Sequence, residues 1–206
     1  MPRTACLAAA AAALAALPVL PAHADQAECE KTVRALLYPL DENKPDTGFN
    51  RFGTSVTKIA GQEMRGYSLQ TPDGSLYYDQ DKNPTSLSFS SGETYFSPDK
   101  GKTWTLANPN SKDVMDAAYA GLRSQAEKAE NIVCEYGVDL DGKTVNHYSA
   151  DYKLYNTGDP AHVDYWVDPD NGFVWRDINH FKGAAETIIE VNAEPAPDMK
   201  LPDKPD

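Results

Sequence analysis

Side chains that could act as acids, bases or metal ligands are plentiful in this sequence, but they follow no recognised catalytic spacing. The chain has 31 aspartates and glutamates among its 206 residues. A glycoside hydrolase needs two carboxyl groups roughly 5 to 10 Å apart, and with so many acids the sequence singles out no pair. The chain contains no G-x-S-x-G, H-E-x-x-H, P-loop or G-x-G-x-x-G pattern. We therefore assign no catalytic residue and expect no cofactor.

Three histidines follow the first 24 residues, and they lie on three different predicted strands: His147, His162 and His180. A hairpin register that sets His180 opposite Ala161 would bring His180 close to His162, so a metal site there is one alternative. Surface or hydrogen-bonded histidines are the interpretation that we favour. We predict no metal ligand.

The stretch SPDKGKTW, Ser97 to Trp104, matches the Asp-box pattern Ser-x-Asp-x-Gly-x-Thr-Trp, which recurs around the propellers of sialidases and related sugar-binding proteins. Its residues also have folding roles. Asp99 can accept turn amides, Gly101 can take the positive φ of a tight corner, and Trp104 can pack back over the hairpin. A propeller would need several copies and about twenty strands, whereas this chain has one copy. We interpret Ser97, Asp99, Gly101 and Trp104 as a structural turn.

The first 24 residues have the features of a secretory signal peptide. Arg3 precedes the apolar run Leu7 to Leu20, and Ala22-His23-Ala24 provides a cleavage site of the A-x-A type. The run is too short and too rich in alanine for a membrane span, and no later segment approaches the roughly 18 to 20 apolar residues that a span needs. We predict cleavage after Ala24 and a periplasmic or secreted protein.

Two cysteines remain after that cleavage, Cys29 and Cys134, because Cys6 leaves with the signal peptide. An even number of cysteines in an oxidising compartment usually means a bridge. We predict a Cys29–Cys134 disulfide, and closing so long a loop would stabilise the fold by roughly 4 to 5 kcal/mol. The alternative is two buried free thiols.

The remaining chain is strongly acidic. Removing residues 1–24 removes one arginine and no acid, so 18 basic and 31 acidic side chains remain, a net charge of −13. Binding to nucleic acid would need the opposite sign, and docking onto an anionic membrane surface is disfavoured for the same reason. We predict an exported monomer with one domain, residues 25–192.

The pattern of apolar residues predicts mostly short antiparallel strands with two helices. Residues 26–37 place apolar side chains on one face of a short helix, and residues 111–130 form a longer amphipathic helix with Ser111 as its N-cap. Alternating segments broken by turn residues fill the rest and predict about ten or eleven strands. The proline-rich and acidic composition of residues 193–206 predicts a flexible tail.

The predicted hairpin from Ala161 to Phe181 has apolar side chains on both faces. If Asp168 pairs with Phe173, the register then pairs Trp166 with Trp175, Val167 with Val174, and Val163 with Ile178. A sheet normally needs only one apolar face, so the second must meet a helix, a partner or an apolar ligand.

A concave sheet face partly closed by the 111–130 helix would form a ligand cavity. The candidate lining residues are the aromatic side chains Tyr148, Tyr152, Trp166 and Trp175. The alternative is that the helix fills this space as ordinary core.

This layout resembles that of the periplasmic LolA/LppX-like carriers, and the local resemblance is WVDPDNGFVWR, Trp166 to Arg176. In those proteins a strand, an Asp-x-x-x-Gly turn and a strand ending in arginine occur late in the sequence. The resemblance implies an α+β fold, in which an unclosed antiparallel half-barrel of about eleven strands has helices at its open side. It also implies a carrier that shelters acyl chains or other lipid from water.

Three functional hypotheses follow. The first is a non-enzymatic periplasmic protein that binds a hydrophobic ligand, such as a lipid or an acyl chain. The second is an interaction module that docks another envelope protein through a sheet edge or the tryptophan face. The third, which we favour least, is a glycan hydrolase.

Overall fold

The computed structural model describes residues 26–38, 50–109 and 112–205. The predicted signal peptide, its cleavage site after Ala24 and the predicted N-cap Ser111 lie outside the described residues. Within the described ranges, no helix has the length and apolar character to cross a membrane.

The described residues form two helices and eleven strands. The helices are α1 (Gln26–Leu37) and α2 (Lys112–Glu127), close to the bounds that the sequence predicts. The strands are β1 (Arg51–Ile59), β2 (Gln62–Thr71), β3 (Gly74–Tyr78), β4 (Pro84–Phe89), β5 (Glu93–Phe96), β6 (Thr105–Pro109), β7 (Glu130–Leu140), β8 (Lys143–Lys153), β9 (Pro160–Val167), β10 (Val174–Lys182) and β11 (Glu186–Pro195).

All eleven strands belong to one antiparallel sheet in the order β6-β5-β4-β3-β2-β1-β11-β10-β9-β8-β7. Neighbours are consecutive in sequence except at the centre, where β1 pairs with β11. β6 and β7 are the two edges, so the sheet is not closed. The predicted α+β class, with an unclosed antiparallel sheet and two helices, is confirmed.

The two faces of the sheet follow from the cross-strand register, because paired residues point to the same side. We call the side of Tyr148 the helix-covered face, since Tyr148 packs with residues of α1 and α2 in one core cluster. Tyr148 pairs with Tyr165, Tyr165 with Asp177, and Asp177 with Val191 on this face. The opposite, outer face carries His147, Trp166, Arg176 and Asn192 in register.

A disulfide joins α1 to the edge strand β7. Cys29 and Cys134 are bonded, with their Cα atoms 6.0 Å apart and a sequence separation of 105. Cys134 pairs with Tyr148 and therefore points to the helix-covered face, where Cys29 is 3% exposed. The predicted bridge is confirmed.

The N-terminal half of the sheet has its apolar cluster on the outer face, opposite to the helices. Leu69, Leu76 and Leu87 follow one another in register across β2, β3 and β4. Phe52 pairs with Leu69 and with Glu194. Glu194 alternates with the helix-covered positions of β11, so Phe52 and Leu69 point to the outer face. The buried side of the sheet therefore changes face between its two halves.

The chain after β11 covers this outer cluster. Ala196, Met199 and Leu201 pack against its leucines. The Ala196 amide donates to the Asn50 carbonyl (2.6 Å), and the Asn50 side-chain amide donates to the Met199 carbonyl (2.7 Å).

Residues 193–205 of the predicted flexible tail therefore contact the fold, while the flexibility of the segment stays a prediction. The Lys204 ammonium donates to Glu93 of β5 at 2.5 Å, which holds the far end of the segment. The segment is rich in proline and acid, but its few apolar side chains cover the leucine cluster. β11 itself continues to Pro195.

The predicted hairpin register is correct at the turn and wrong beyond it. The Asp168 amide donates to the Phe173 carbonyl (2.8 Å), and Val167 pairs with Val174 as predicted. An irregularity between Val174 and Arg176 then makes Trp175 an extra residue. A bulge of this kind shifts all later pairs by one.

The shift changes three predicted pairs. Trp166 pairs with Arg176 instead of Trp175, and Val163 pairs with Asn179 instead of Ile178. His180 faces His162 instead of Ala161.

The Asp-box stretch forms the corner between β5 and β6. The Asp99 carboxylate accepts from the Thr103 amide (2.8 Å), the Thr103 hydroxyl (2.7 Å) and the Ser97 hydroxyl (3.0 Å). Gly101 has a φ of 82°, in the left-handed region that favours glycine. Trp104 packs against the outer-face cluster. These contacts are all internal to the fold.

Candidate functional site

A cavity of about 700 Å³ opens between the C-terminal half of α2 and the neighbouring strand ends. A volume of this size lies within the usual range for small-molecule sites. Its lining comes from α2, the start of β7, the end of β8 with the following loop, the start of β9 and the end of β10. The lining residues are Gly121, Ser124, Gln125, Lys128, Glu130, Asn131, Asp151, Tyr152, Lys153, Leu154, Tyr155, Pro160, Ala161 and Lys182.

Tyr152 and Ala161 form an apolar part of this lining. They pair across β8 and β9 on the helix-covered face and are 7% and 3% exposed. The Tyr152 hydroxyl donates to Asn179 Oδ1 (3.4 Å). Burial raises the pKa of Tyr152 to about 12, so the phenol is neutral at physiological pH. Tyr152 thus offers a ligand an uncharged aromatic surface.

Tyr155 lies against α2 because residue 121 is a glycine. A Cβ atom on Gly121 would lie only 2.3 Å from Tyr155 Cδ2. The Tyr155 backbone amide donates to Gln125 Oε1 of α2 (3.1 Å). The loop behind it is closed by the Gly158 amide, which donates to the Leu154 carbonyl (2.7 Å). The Tyr155 side chain therefore joins the cavity lining while it remains 47% exposed.

Charged groups make the cavity amphipathic. Three lysines and two acids join the apolar side chains: Lys128, Lys153, Lys182, Glu130 and Asp151. Asp151 is already bonded, because its carboxylate accepts from Asn131 Nδ2 (2.8 Å) and contacts His162 Nδ1 (2.7 Å). Hydrogen bonds from Asn131 and then His162 lower the pKa of Asp151. Asp151 is therefore ionised at neutral pH, and its carboxylate already has hydrogen-bond partners.

A line of polar contacts continues from Tyr152 across the helix-covered face. Asn179 Nδ2 donates to Asp177 Oδ1 (3.2 Å), and Arg51 Nη2 donates to Asp177 Oδ2 (2.6 Å). Arg51 Nη1 donates to Gln70 Oε1 (3.2 Å). Asp177 is only 8% exposed, so this ion pair links β10 to β1 across β11 within the fold. Such a pair is costly to break from one side.

The structure brings one of the four predicted ligand-binding residues to the cavity. Tyr152 lines it, while Tyr148 is 6% exposed and packs edge-on to Tyr136 (6.1 Å). Trp166 lies on the outer face instead of the predicted concave face, because Ala161, Val163, Tyr165 and Val167 take the helix-covered positions of β9. The ligand-binding role of the set stays a prediction.

Trp175 occupies the bulge of β10. Its indole donates to Asp168 Oδ2 (3.3 Å), and its ring packs edge-on to Phe173 (4.8 Å). The Lys143 ammonium lies 4.8 Å from the ring centroid. These contacts fix the hairpin end.

For several cavity residues, no sequence pattern predicts a place in the cavity. Gly121 sits inside an otherwise regular helix and could have indicated a close contact, since an interior glycine often has a packing reason. Lys128, Lys153 and Lys182 are separated in sequence and meet only because the end of β8, the start of β9 and the end of β10 lie near the end of α2.

The histidines form a chain with carboxylates on the outer face. His147 Nδ1 contacts Glu135 Oε2 (2.9 Å) and its Nε2 contacts Asp164 Oδ1 (2.8 Å). His162 Nε2 lies 3.4 Å from Asp164 Oδ2. The His147 ring stacks on Trp166 with centroids 4.8 Å apart.

Each of the three histidines that the structure describes has a carboxylate partner, and His180 contacts Glu186 at 2.5 Å. The hydrogen bond with Asp164 raises the pKa of His147 against the opposing effect of burial. Across the described ranges, no group of three or more His, Cys, Asp or Glu side chains is arranged to hold a metal ion.

Comparison with known proteins gives matches among solved structures. No protein-family model matches the chain, and no curated protein matches it. A DUF1329 family protein from Desulfovibrio piger ATCC 29098 is 10% identical, with 87% of this chain and 96% of that chain covered and a TM-score of 0.33. A LolA superfamily protein from Nitrosomonas europaea is 10% identical, with 87% and 94% covered and a TM-score of 0.31.

The fold class itself follows from the open eleven-stranded sheet and its two helices.

Proposed function

We propose that the protein is a non-enzymatic binding or carrier protein for a hydrophobic or amphipathic ligand, such as a lipid or an acyl chain. The cavity of about 700 Å³ between α2 and the sheet is the observation that carries this proposal. Helix α2 does not fill the space beside Tyr152 and Ala161, and the cavity lies there. The Cys29–Cys134 bridge supports a location outside the cytoplasm.

Burial of apolar groups would supply the affinity. Each sheltered methylene contributes about 0.8 kcal/mol before ordering costs. The aromatic and aliphatic lining offers this contact, while the open mouth leaves a polar end of the ligand in water. Binding of this kind requires no catalytic group, which agrees with a carrier.

The test fills the cavity from α2. Ser124 lines the cavity and is only partly buried, so Ser124→Phe adds a ring at a position outside the fully buried core. We expect Ser124→Phe to weaken binding of a fluorescent fatty acid to delipidated protein by about tenfold or more, because the ring occupies ligand volume. Fluorescence titration measures the affinity.

The matched control is Ser124→Ala, which removes the hydroxyl without filling space and should bind like the parent protein. Mass spectrometry of organic extracts from the purified protein gives an independent readout. Equal affinity in the Phe and Ala variants, together with extracts free of lipid, would show that this cavity is not a hydrophobic binding site.

A further inference from the structure

The mouth of the cavity carries three lysines brought together from separate elements. Lys128 follows the end of α2, Lys153 ends β8, and Lys182 ends β10. Lys153 pairs with Pro160, and the neighbouring residue Phe181 pairs with Ala161. Lys153 and Lys182 thus flank Pro160 from the two adjacent strands, about 10 Å apart at two strand spacings. By alternation these residues belong to the outer face, and they line the cavity at the strand ends, where it opens.

The ammonium groups of these lysines make no hydrogen bond or salt bridge to any residue that the structure describes. All three side chains are exposed. They therefore remain available to a ligand, whereas other cations of the chain, such as Lys204, are already paired with an acid.

The acids around the cavity cancel only part of this positive charge. Asp151 is bonded to Asn131 and His162, and the charge of Lys182 is among the smaller causes that lower its pKa. Glu130 is the other acid of the lining. Three ammonium groups thus stand against two carboxylates in the lining, an excess of one positive charge in a chain whose net charge is −12. This local excess is opposite in sign to the whole molecule.

The C-terminus of α2 partly opposes the attraction of an anion by the lysines, because the carbonyls of a helix C-terminus repel anions. Lys128 stands directly beyond that end and supplies a cation to it. Lys153 and Lys182 come from strand ends and are not needed there. At least these two ammonium groups remain for a ligand.

We infer that the cavity takes an amphipathic anion, whose tail lies along Tyr152 and Ala161 and whose headgroup is held by Lys128, Lys153 and Lys182. This inference rests on the proposed function. Lysine ammonium groups bind anions as compact point charges on flexible stems. The headgroup chemistry is therefore a carboxylate or a phosphate ester.

The experiment compares ligands of one chain length on the full delipidated protein: palmitate, hexadecyl phosphate, hexadecanol and a zwitterionic hexadecyl phosphocholine. Displacement of one fluorescent probe measures all four. We expect the two anions to bind about tenfold more tightly than the alcohol, and this advantage to fall as salt screens the exposed charges. The ratio of palmitate to hexadecyl phosphate distinguishes the two headgroups.

The variant K128Q/K153Q/K182Q should lose the preference for anions, because its affinity for palmitate and hexadecyl phosphate falls much further than its affinity for hexadecanol. The matched control K58Q/K102Q/K200Q makes the same change in net charge at three exposed lysines outside the cavity lining, and it should keep the preference. Thermal unfolding verifies that both variants are folded.

Two outcomes would distinguish a failure of the anion inference from a failure of the proposed binding function. If hexadecanol binds as tightly as palmitate, or if the cavity variant loses no more than the control, the anion inference is wrong and the proposed binding function stands. If none of the four amphiphiles displaces the probe from the parent protein, the proposed function and the inference both fail.

Discussion

At the scale of single residues, His147 shows how the outer face depends on protonation. Its ring lies between Glu135 and Asp164 and stacks on Trp166, and its side chain is 18% exposed. The bond to Asp164 raises the pKa of His147 above its ordinary value of 6.5. A protonated imidazole between two carboxylates favours the folded state, because both bonds are then charge-assisted.

The sign of the pH dependence follows from this raised pKa. Stabilisation by His147 is fully present below pH 6.5, the ordinary value, and is lost as the pH rises through the folded pKa. We expect His147→Gln to remove about 1 to 2 kcal/mol of that pH-dependent stability. Urea unfolding of both proteins between about pH 6 and pH 8.5 measures it. Parallel stability curves for the two proteins would contradict this role.

At the scale of elements, the segment after β11 behaves as part of the core. Met199 and Leu201 pack against the leucine cluster of β2, β3 and β4 on the outer face. That cluster includes Leu69 and Leu87, both with 0% exposure. A sheet half whose outer face is apolar needs such a cover, since contiguous exposed apolar area favours aggregation.

We therefore expect the double substitution Met199→Ala and Leu201→Ala to lower the free energy of unfolding by about 1 to 3 kcal/mol. Both side chains are only partly buried, so the lower end of the core range applies. Chemical denaturation measures the change. Lys200→Ala, an exposed neighbour in the same segment, is the control and should stay within about 0.5 kcal/mol of the parent protein. A double variant as stable as this control would mean that the segment adds nothing to the fold.

At the scale of the whole molecule, the sheet is open and its edge strand β7 is held by one covalent link. The Cys29–Cys134 bridge ties α1 to β7 and closes a loop of 105 residues. Loop closure of this length reduces the entropy of the unfolded chain. Because α1 also packs with Tyr148 and α2, loss of the link affects the cover of the helix-covered face.

Reduction of this bridge should lower the free energy of unfolding by about 4 kcal/mol. Urea unfolding with and without a thiol reductant measures the difference. A Cys29→Ala, Cys134→Ala variant should unfold like the reduced protein and should not respond to the reductant. An unchanged unfolding midpoint on reduction would show that noncovalent contacts alone hold α1 in place.

The sequence by itself determined the local elements and the covalent link. Apolar periodicity predicted both helices and the number of strands, since side-chain spacing depends only on the local backbone. Cys29 and Cys134 could be paired because no other cysteine follows the predicted signal peptide. The Asp-box turn could be interpreted from its own eight residues, because a turn also depends only on the local backbone.

Only the tertiary structure decided which side of the sheet each strand presents. The bulge at Trp175 moves every later pair of β9 and β10 by one residue. Trp166 lies on the outer face because its neighbours Tyr165 and Val167 take helix-covered positions of β9. The C-terminal segment packs against strands from much earlier in the sequence. Its Lys204, for example, contacts Glu93 at a sequence separation of 111. The lysines of the cavity mouth meet for a similar reason. These features depend on contacts between distant segments, which no local pattern of residues encodes.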